Sequence, residues 1–433
     1  MAAPSVLFLT SDPVGSEMGG NAIRAYELAR VVGRHAPTVL AAPAGGGEPP
    51  AGVTVKPFDP AAPESLRPLI AAADVIVTPP QGAITTSWLR RSDAVLVYDL
   101  YDPTALEALE IHAAATPARR RFWTMLAVDQ LLDALHLGNH FICATERQRD
   151  LWLGAMVAGR LLTPPAYDAD PSLRSVIDVV PFGLPEHAPE PTGAGGVRTR
   201  FPEIPGDAEV VLWNGGIWNW LDPDTAVRAA GLLAERRPRL RLVFMGRPPL
   251  GEANARAART ARDLAARAGL LDRVVFFNDG WVPYEQRSEW LLDAHCAVST
   301  HLDHLETRFA FRTRLLDCLW ARLPVVCTDG DELAERIVRS DLGAVAPSGD
   351  APALAAALER VLDRGKPSYA AALAAAAAEL SWPAVAGPLI RYVEQADHPP
   401  RLGAALDRRA SRPVQRLRAA GIRAGRRAFR LLS

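Results

Sequence analysis

Short continuous apolar runs alternate along most of the chain with amphipathic stretches whose apolar positions fall three and four residues apart. Runs of strand length occur at Val6–Thr10, Thr38–Ala41, Asp74–Thr78, Ala94–Asp99, His140–Ala144 and Val176–Val180. The amphipathic stretches include Asn21–Gly33 and Ala118–His136. Periodicity lapses after Phe182-Gly183 until about Asp207, where proline and glycine dominate and a linker is expected. It then resumes with strands at Glu209–Trp213, Arg241–Met245, Val274–Phe277, Cys296–Thr300 and Gly343–Ala346. Helices are expected at Pro223–Arg236, Glu252–Ala268, Ala310–Ala321 and Pro352–Arg364, from Asp331 onward, near Tyr369, and at Trp382–Gln395. Buried strands alternating with helices predict mainly parallel sheets covered on both faces. At 433 residues, two such domains fit better than one core. The divisions expected are 1–190, a linker 191–207, 208–380, a C-terminal helix 381–398 returning toward the first domain, and a tail 399–433.

Charge changes this picture only at the end of the chain. The formal net charge is −1, so no global field favours nucleic acid, yet from Arg401 onward there are ten arginines and one acid. In that tail Val414, Leu417, Gly421, Ala424, Ala428 and Leu431 share a helical face flanked by arginines, which suits an anionic membrane surface. Docking against the body and disorder are the alternatives, and Gly421 and Gly425 weaken a helix there. The four cysteines lie in apolar runs without metal or disulfide spacing, and the first apolar run is too short for a signal or a span. A cytoplasmic protein with reduced cysteines is expected.

The stretch Val298–Cys327 reads as strand, polar loop, helix, strand. Phe311, Leu315, Cys318 and Leu319 make an apolar stripe, with Thr313 and Asp317 on the other side. The loop opens at the carboxyl end of its strand, where open parallel sheets bind ligands, and a helix start there adds free N–H groups. Arg308, Arg312 and Arg314 suit a diphosphate, and Asp317 suits ribose hydroxyls; a solvated helix end is the alternative. Near the N-terminus, Gly19-Gly20 before a helix permit close backbone approach, without the dinucleotide fingerprint. Asp99, Tyr101 and Asp102 end a strand and could hold sugar hydroxyls or an acceptor; Asp102 before Pro103 equally fits a helix N-cap. Asp222-Pro-Asp224 reads as an N-cap rather than a metal motif, and His301-x-x-His304 lacks the third ligand that zinc requires.

In order, GGNAIRAYELARVV, VVPFGLPE, VVLWNGGIWNW, LVFMGRPP, RVVFFNDGWVPYEQ and LPVVCTDGDELAE resemble successive landmarks of the retaining, nucleotide-sugar-dependent glycosyltransferases of GT-B fold, family 4. The resemblance runs from the first strand to the helix at Trp382. It implies an α/β protein of two Rossmann-like, doubly wound domains facing across a cleft, with the nucleotide held mainly by the second and the acceptor by the first. It implies transfer of a sugar from a nucleoside-diphosphate donor to a hydroxyl acceptor with retention, and no metal or other cofactor. The acceptor expected alongside a membrane-seeking tail is a lipid-linked glycan.

Two departures mark the donor site. Counting back from LPVV, Asp317 stands where the family's second paired acid falls, but the first position holds Phe309, which leaves Glu306 as the candidate carboxylate. The loop GGIWNWLD, with Gly215 and Gly216, lacks the family's basic pair, so Arg247, Arg308, Arg312 and Arg314 are the candidates to neutralise the diphosphate. Trp281 and Val282 match the base-holding region, and Trp218 and Trp220 either stack on the sugar or pack as core aromatics. Asp102 is carried with Glu306 as a catalytic candidate. A nucleotide-sugar epimerase of similar architecture and an inactive membrane-associated GT-B binding subunit are the rival readings.

Overall fold

A computed structural model of the chain describes residues 3–15, 18–43, 49–193, 195–246, 256–395 and 398–404. Among these residues, thirteen strands form two parallel sheets. The first contains β1 (Val6–Leu9), β2 (Thr38–Pro43), β3 (Val53–Phe58), β4 (Val75–Thr78), β5 (Val95–Asp99), β6 (His140–Cys143) and β7 (Ile177–Val179), in the order β3-β2-β1-β4-β5-β6-β7. The second contains β8 (Glu209–Trp213), β9 (Leu240–Phe244), β10 (Val275–Phe277), β11 (Cys296–Ser299), β12 (Val325–Thr328) and β13 (Gly343–Ala346), in the order β10-β9-β8-β11-β12-β13. Both are therefore doubly wound. In each, strand order reverses beside the first strand, and the loops leaving β1, β4, β8 and β11 open into the resulting crevices.

The central strands are buried on both faces, because helices cover each side, and this is why they read as unbroken apolar runs. β3 was not expected from the sequence. It is an edge strand with exposed alternate positions and Pro57 within it, so it has no continuous apolar run to announce it. The helix expected over Ala310–Ala321 is also different. One short turn, Leu305–Phe309, precedes a break, and the longer helix is Thr313–Trp320.

The C-terminal segment crosses back to the first sheet. Leu184 N–H donates to Leu380 O at 2.7 Å and Trp382 N–H donates to Leu184 O at 2.9 Å. Trp382 is fully buried against Phe182, and a Cβ on Gly183 would stand 2.5 Å from its ring. Beyond it, Tyr392 stacks between His140 and His398, and Arg401 donates to the carbonyls of Leu89, Arg90 and Ser92. The basic stretch from 405 to 433 lies outside the described residues. Among those described, no helix is long and apolar enough to cross a membrane.

Candidate functional site

On the second sheet, the turn after β8 is built from Asn214, Gly215 and Gly216, and Gly215 has φ +86°, a conformation glycine adopts without strain. The turn after β9 lies directly on it: a Cβ on Gly246 would stand 2.3 Å from the Gly215 carbonyl. Arg314 clamps the pair, its Nη1 donating to Gly216 O at 3.0 Å and to Asn214 O at 3.3 Å, while Asn214 Nδ2 donates to Arg314 O at 2.9 Å. Its guanidinium also lies 5.7 Å from the Trp213 ring centre. Burial pulls its pKa down to about 10, which still leaves a cation beneath the glycine turn at neutral pH. Arg247 lies outside the described residues.

The other expected arginines separate. Arg312 is buried in an ion pair with Asp331, and it donates to Thr328 O at 3.0 Å and Asp329 O at 3.1 Å. Its guanidinium braces the loop after β12 and does not face open cleft. Arg308 is exposed, its head 5.9 Å from the Phe309 ring centre. Asp317 accepts from Arg287 Nε at 3.2 Å, and Arg287 in turn stacks on Tyr284 and Trp320. Thr313 opens its helix and shares a side-chain hydrogen bond with Tyr101 of the opposite wall. Trp281 is exposed, Val282 is half-buried against the core, and Trp218 stacks on Trp220 at 5.2 Å.

Glu306 sits on the Leu305–Phe309 turn with only 4% of its surface exposed, and its Oε2 has no hydrogen-bond partner among the described residues. Burial raises its pKa to about 7; Arg312 lowers it, and the carboxylates of Asp102, Glu110 and Asp331 raise it further. His304 Nδ1 lies 3.6 Å from that oxygen and accepts from Thr307 N–H, so it caps the turn. His301 is buried and held neutral by burial and the nearby arginines. Asp222 accepts from Thr225 N–H at 3.1 Å and caps its helix. Among the described residues no cluster of three or more acid, histidine or cysteine side chains is arranged to hold a metal ion.

The facing wall comes from the first sheet. Gly19 caps the helix Gly20–Val32, and a Cβ on either glycine would meet nothing within 4 Å. Arg24, one turn on, is buried; it donates to both carboxylate oxygens of Asp99 at 2.6 and 3.0 Å, and to Val180 O and Pro181 O. The N-cap alternative for Asp102 is not what forms: the helix starts at Thr104 behind Pro103, with no side-chain cap. The Asp102 carboxyl instead meets Asn21, and burial together with Asp99 and Asp12 lifts its pKa to about 6 against Asn21 and Arg24. Burial, Asp102 and Glu306 hold Glu107, on the same helix, well above the usual carboxyl range. That helix packs against the Leu305–Phe309 turn, so carboxyls of both domains converge.

Gln148 ties the walls together. Its Nε2 donates to Tyr101 O at 2.7 Å and to Phe309 O at 2.8 Å. Neither Gln148 nor Arg24 was expected from sequence. For Arg24 a signal existed, an arginine on the core-facing side of an amphipathic helix; for Gln148 there was none, since its role depends on two distant carbonyls.

Residues 208–364 match the family model described as Glycosyl transferases group 1. The whole fold matches a sucrose-phosphate synthase from Thermosynechococcus elongatus at TM-score 0.62 and 16% identity, covering 90% of this chain and 98% of that one. It matches WaaG, a glycosyltransferase involved in lipopolysaccharide biosynthesis, at TM-score 0.60 and 16% identity, over 90% of this chain and 100% of the other. Anabaena HepE in complex with UDP and glucose matches at TM-score 0.64 and 14% identity, over 90% and 98%. No curated protein sequence matches the chain. The fold is GT-B, and the family match within it supports an enzyme of glycosyltransferase kind.

Proposed function

We propose that the protein transfers a sugar from a nucleoside-diphosphate donor to a hydroxyl acceptor, with retention at the anomeric carbon. The observation that carries this reading is the convergence of Glu306 with Asp102 and Glu107, between two switch-point loops that each present glycine backbone. In this reading the Gly215-Gly216 turn receives the diphosphate, and Arg314 and Arg308 supply the charge that its departure requires. Asp317 and Thr313 lie toward the ribose, and Trp281 and Val282 toward the base. Gly19 and Gly20 let the donor approach the first wall. Glu306 holds the donor sugar and Asp102 takes the proton of the acceptor hydroxyl. Arg312 supports the loop rather than the phosphate.

Nucleotide-sugar binding by structural neighbours, such as HepE in complex with UDP-glucose, supports this class of donor. Retention rests on the likeness to the retaining enzymes of family 4, and a metal-free site on the arginines and turn N–H groups. The acceptor we favour is a lipid-linked glycan, reached from the cytoplasm at the inner face of a membrane, to which the basic residues of the tail beyond 404 would bring the enzyme.

Donors of different base and sugar, incubated with the protein and simple glycoside acceptors, test the reading by NMR of the product anomer. Glu306→Gln should lower turnover by about 10²-fold or more while nucleotide affinity stays within a few-fold. Full activity in that variant would overturn the assignment of Glu306, and donor conversion without any acceptor would favour the epimerase.

A further inference from the structure

The helix Pro117–Leu137 is apolar on two sides. Thr124, Ala134, Leu135 and Leu137 face inward and are buried, as a surface helix requires. The outer side, however, presents Phe122, Met125, Leu126 and Leu132, each between 36% and 46% exposed. At 100° per residue these four fall on one arc, with exposed Arg121 on one border and exposed Arg119 on the other; Asp129 and Asp133, the latter paired with Arg90, fall inside the arc on the second half of the helix, beside Leu132. On the first half of the helix Phe122, Met125 and Leu126 form an unbroken exposed apolar ridge rimmed by cations, which marks an interaction surface, not a solvated face.

Two observations select its partner. The rim of the first half is positive, and the described residues end beside the other end of the helix. Leu402 N–H donates to Gly138 O at 2.8 Å and Gly403 N–H donates to His136 O at 3.0 Å, so the described chain reaches Ala404 beside the end of this helix; nine arginines and one acid follow in the sequence. Like charge opposes that basic sequence lying along the first half of the ridge, bordered by Arg119 and Arg121. An anionic surface takes both. The ridge is also one convex helix, which fits a fluid interface into which side chains sink.

We propose that the outer face of the first half of Pro117–Leu137 docks on an anionic bilayer, with Phe122, Met125 and Leu126 entering the boundary between headgroups and acyl chains and Arg119 and Arg121 meeting lipid phosphates. The position suits the chemistry. This helix packs on Thr104–Ile111, which carries Glu107 and packs in turn on the turn carrying Glu306. One helical layer thus separates the bilayer from the carboxyls of the cleft. The docking itself does not depend on the transferase reading.

Flotation of the full chain with phosphatidylcholine vesicles, with and without phosphatidylglycerol, tests it in the absence of nucleotide. The chain should float with the anionic vesicles. The triple variant Phe122→Ser/Met125→Ser/Leu126→Ser should lose at least about tenfold in partitioning, since each side chain withdrawn from lipid forfeits transfer energy. Its melting temperature and nucleotide affinity should match the wild type, because the changed side chains are exposed. Arg119→Glu/Arg121→Glu should lose binding to the anionic vesicles only. Removal of residues 405–433 should weaken binding and leave a remainder that the triple substitution abolishes. Wild-type flotation by the triple variant would overturn the proposal and leave binding to the tail. Lipid-independent self-association that the triple variant dissolves would overturn it in favour of a second copy of the chain.

Discussion

The two walls of the cleft come from sheets wound in the same strand order, yet they are finished in opposite ways. On the second wall the glycine turn after β8 is pressed against the turn after β9, locked at positive φ and tied down by Arg314. On the first wall Gly19 and Gly20 face open space; Arg24 nearby is taken up by Asp99, and the carboxyls of Asp102 and Glu107 are held above their usual pKa. Shared topology decides where each loop opens; side-chain packing decides what each can receive. A rigid, cation-backed turn suits a fixed anionic group, whereas an open acidic wall suits a neutral polyhydroxyl or cationic partner of variable shape.

The arginines sharpen this contrast most strongly. Arg312→Ala would leave Asp331 buried without its cation and should cost about 3–5 kcal/mol, measured by urea denaturation. Arg308→Ala, on an exposed side chain, should change stability by no more than about 0.5 kcal/mol and instead weaken nucleotide binding. Equal stability of the two variants would erase the distinction between a bracing and a ligand-facing arginine. Replacing the pair together, Arg312→Met/Asp331→Leu, should recover much of the loss.

Next in size is the pH dependence that converging carboxyls impose. Glu306 has its folded pKa raised from the ordinary 4.5 to about 7, so the folded state binds the proton more tightly than the unfolded chain does. Stability from this group is complete below pH 4.5 and is lost as pH rises through about 7, up to about 3 kcal/mol in all. Asp102, raised to about 6, acts with the same sign. Thermal melts between pH 5 and pH 8 should therefore show a decline that Glu306→Gln flattens. An unchanged slope in Glu306→Gln would mean that its carboxyl is not buried among acids.

Much of this organisation was legible in the sequence. Continuous apolar runs mark strands that helices cover on both faces, and the reversal of chain order at β1 and β8 follows from strand, loop and helix repeating in each half. The exceptions have local causes. β3, at a sheet edge, needs apolar residues on one side only and escapes a search for unbroken runs. Arg308, Arg312 and Arg314 are within seven residues and look alike in sequence, but a break at Ala310–Arg312 sends one outward, one into Asp331 and one under the glycine turn. Arg24 and Gln148 act on groups far along the chain, and such pairings have no signature at short range.

The smallest expected effect concerns the glycines themselves. Gly215→Ala places a side chain at φ +86°, which should cost about 1–2 kcal/mol and loosen the turn under any bound diphosphate. Gly20→Ala meets no neighbour within 4 Å and lies at the first position of a helix, so folding alone gives no reason for glycine there. Its stability should stay level or rise by less than about 1 kcal/mol, because alanine narrows the unfolded ensemble. If a donor passes close to this backbone, the added methyl should nonetheless weaken nucleotide-sugar binding, read by calorimetric titration of both variants. A stable Gly20→Ala protein with undiminished affinity would show that the open space on the first wall is not used by the donor, and that the second wall holds it alone.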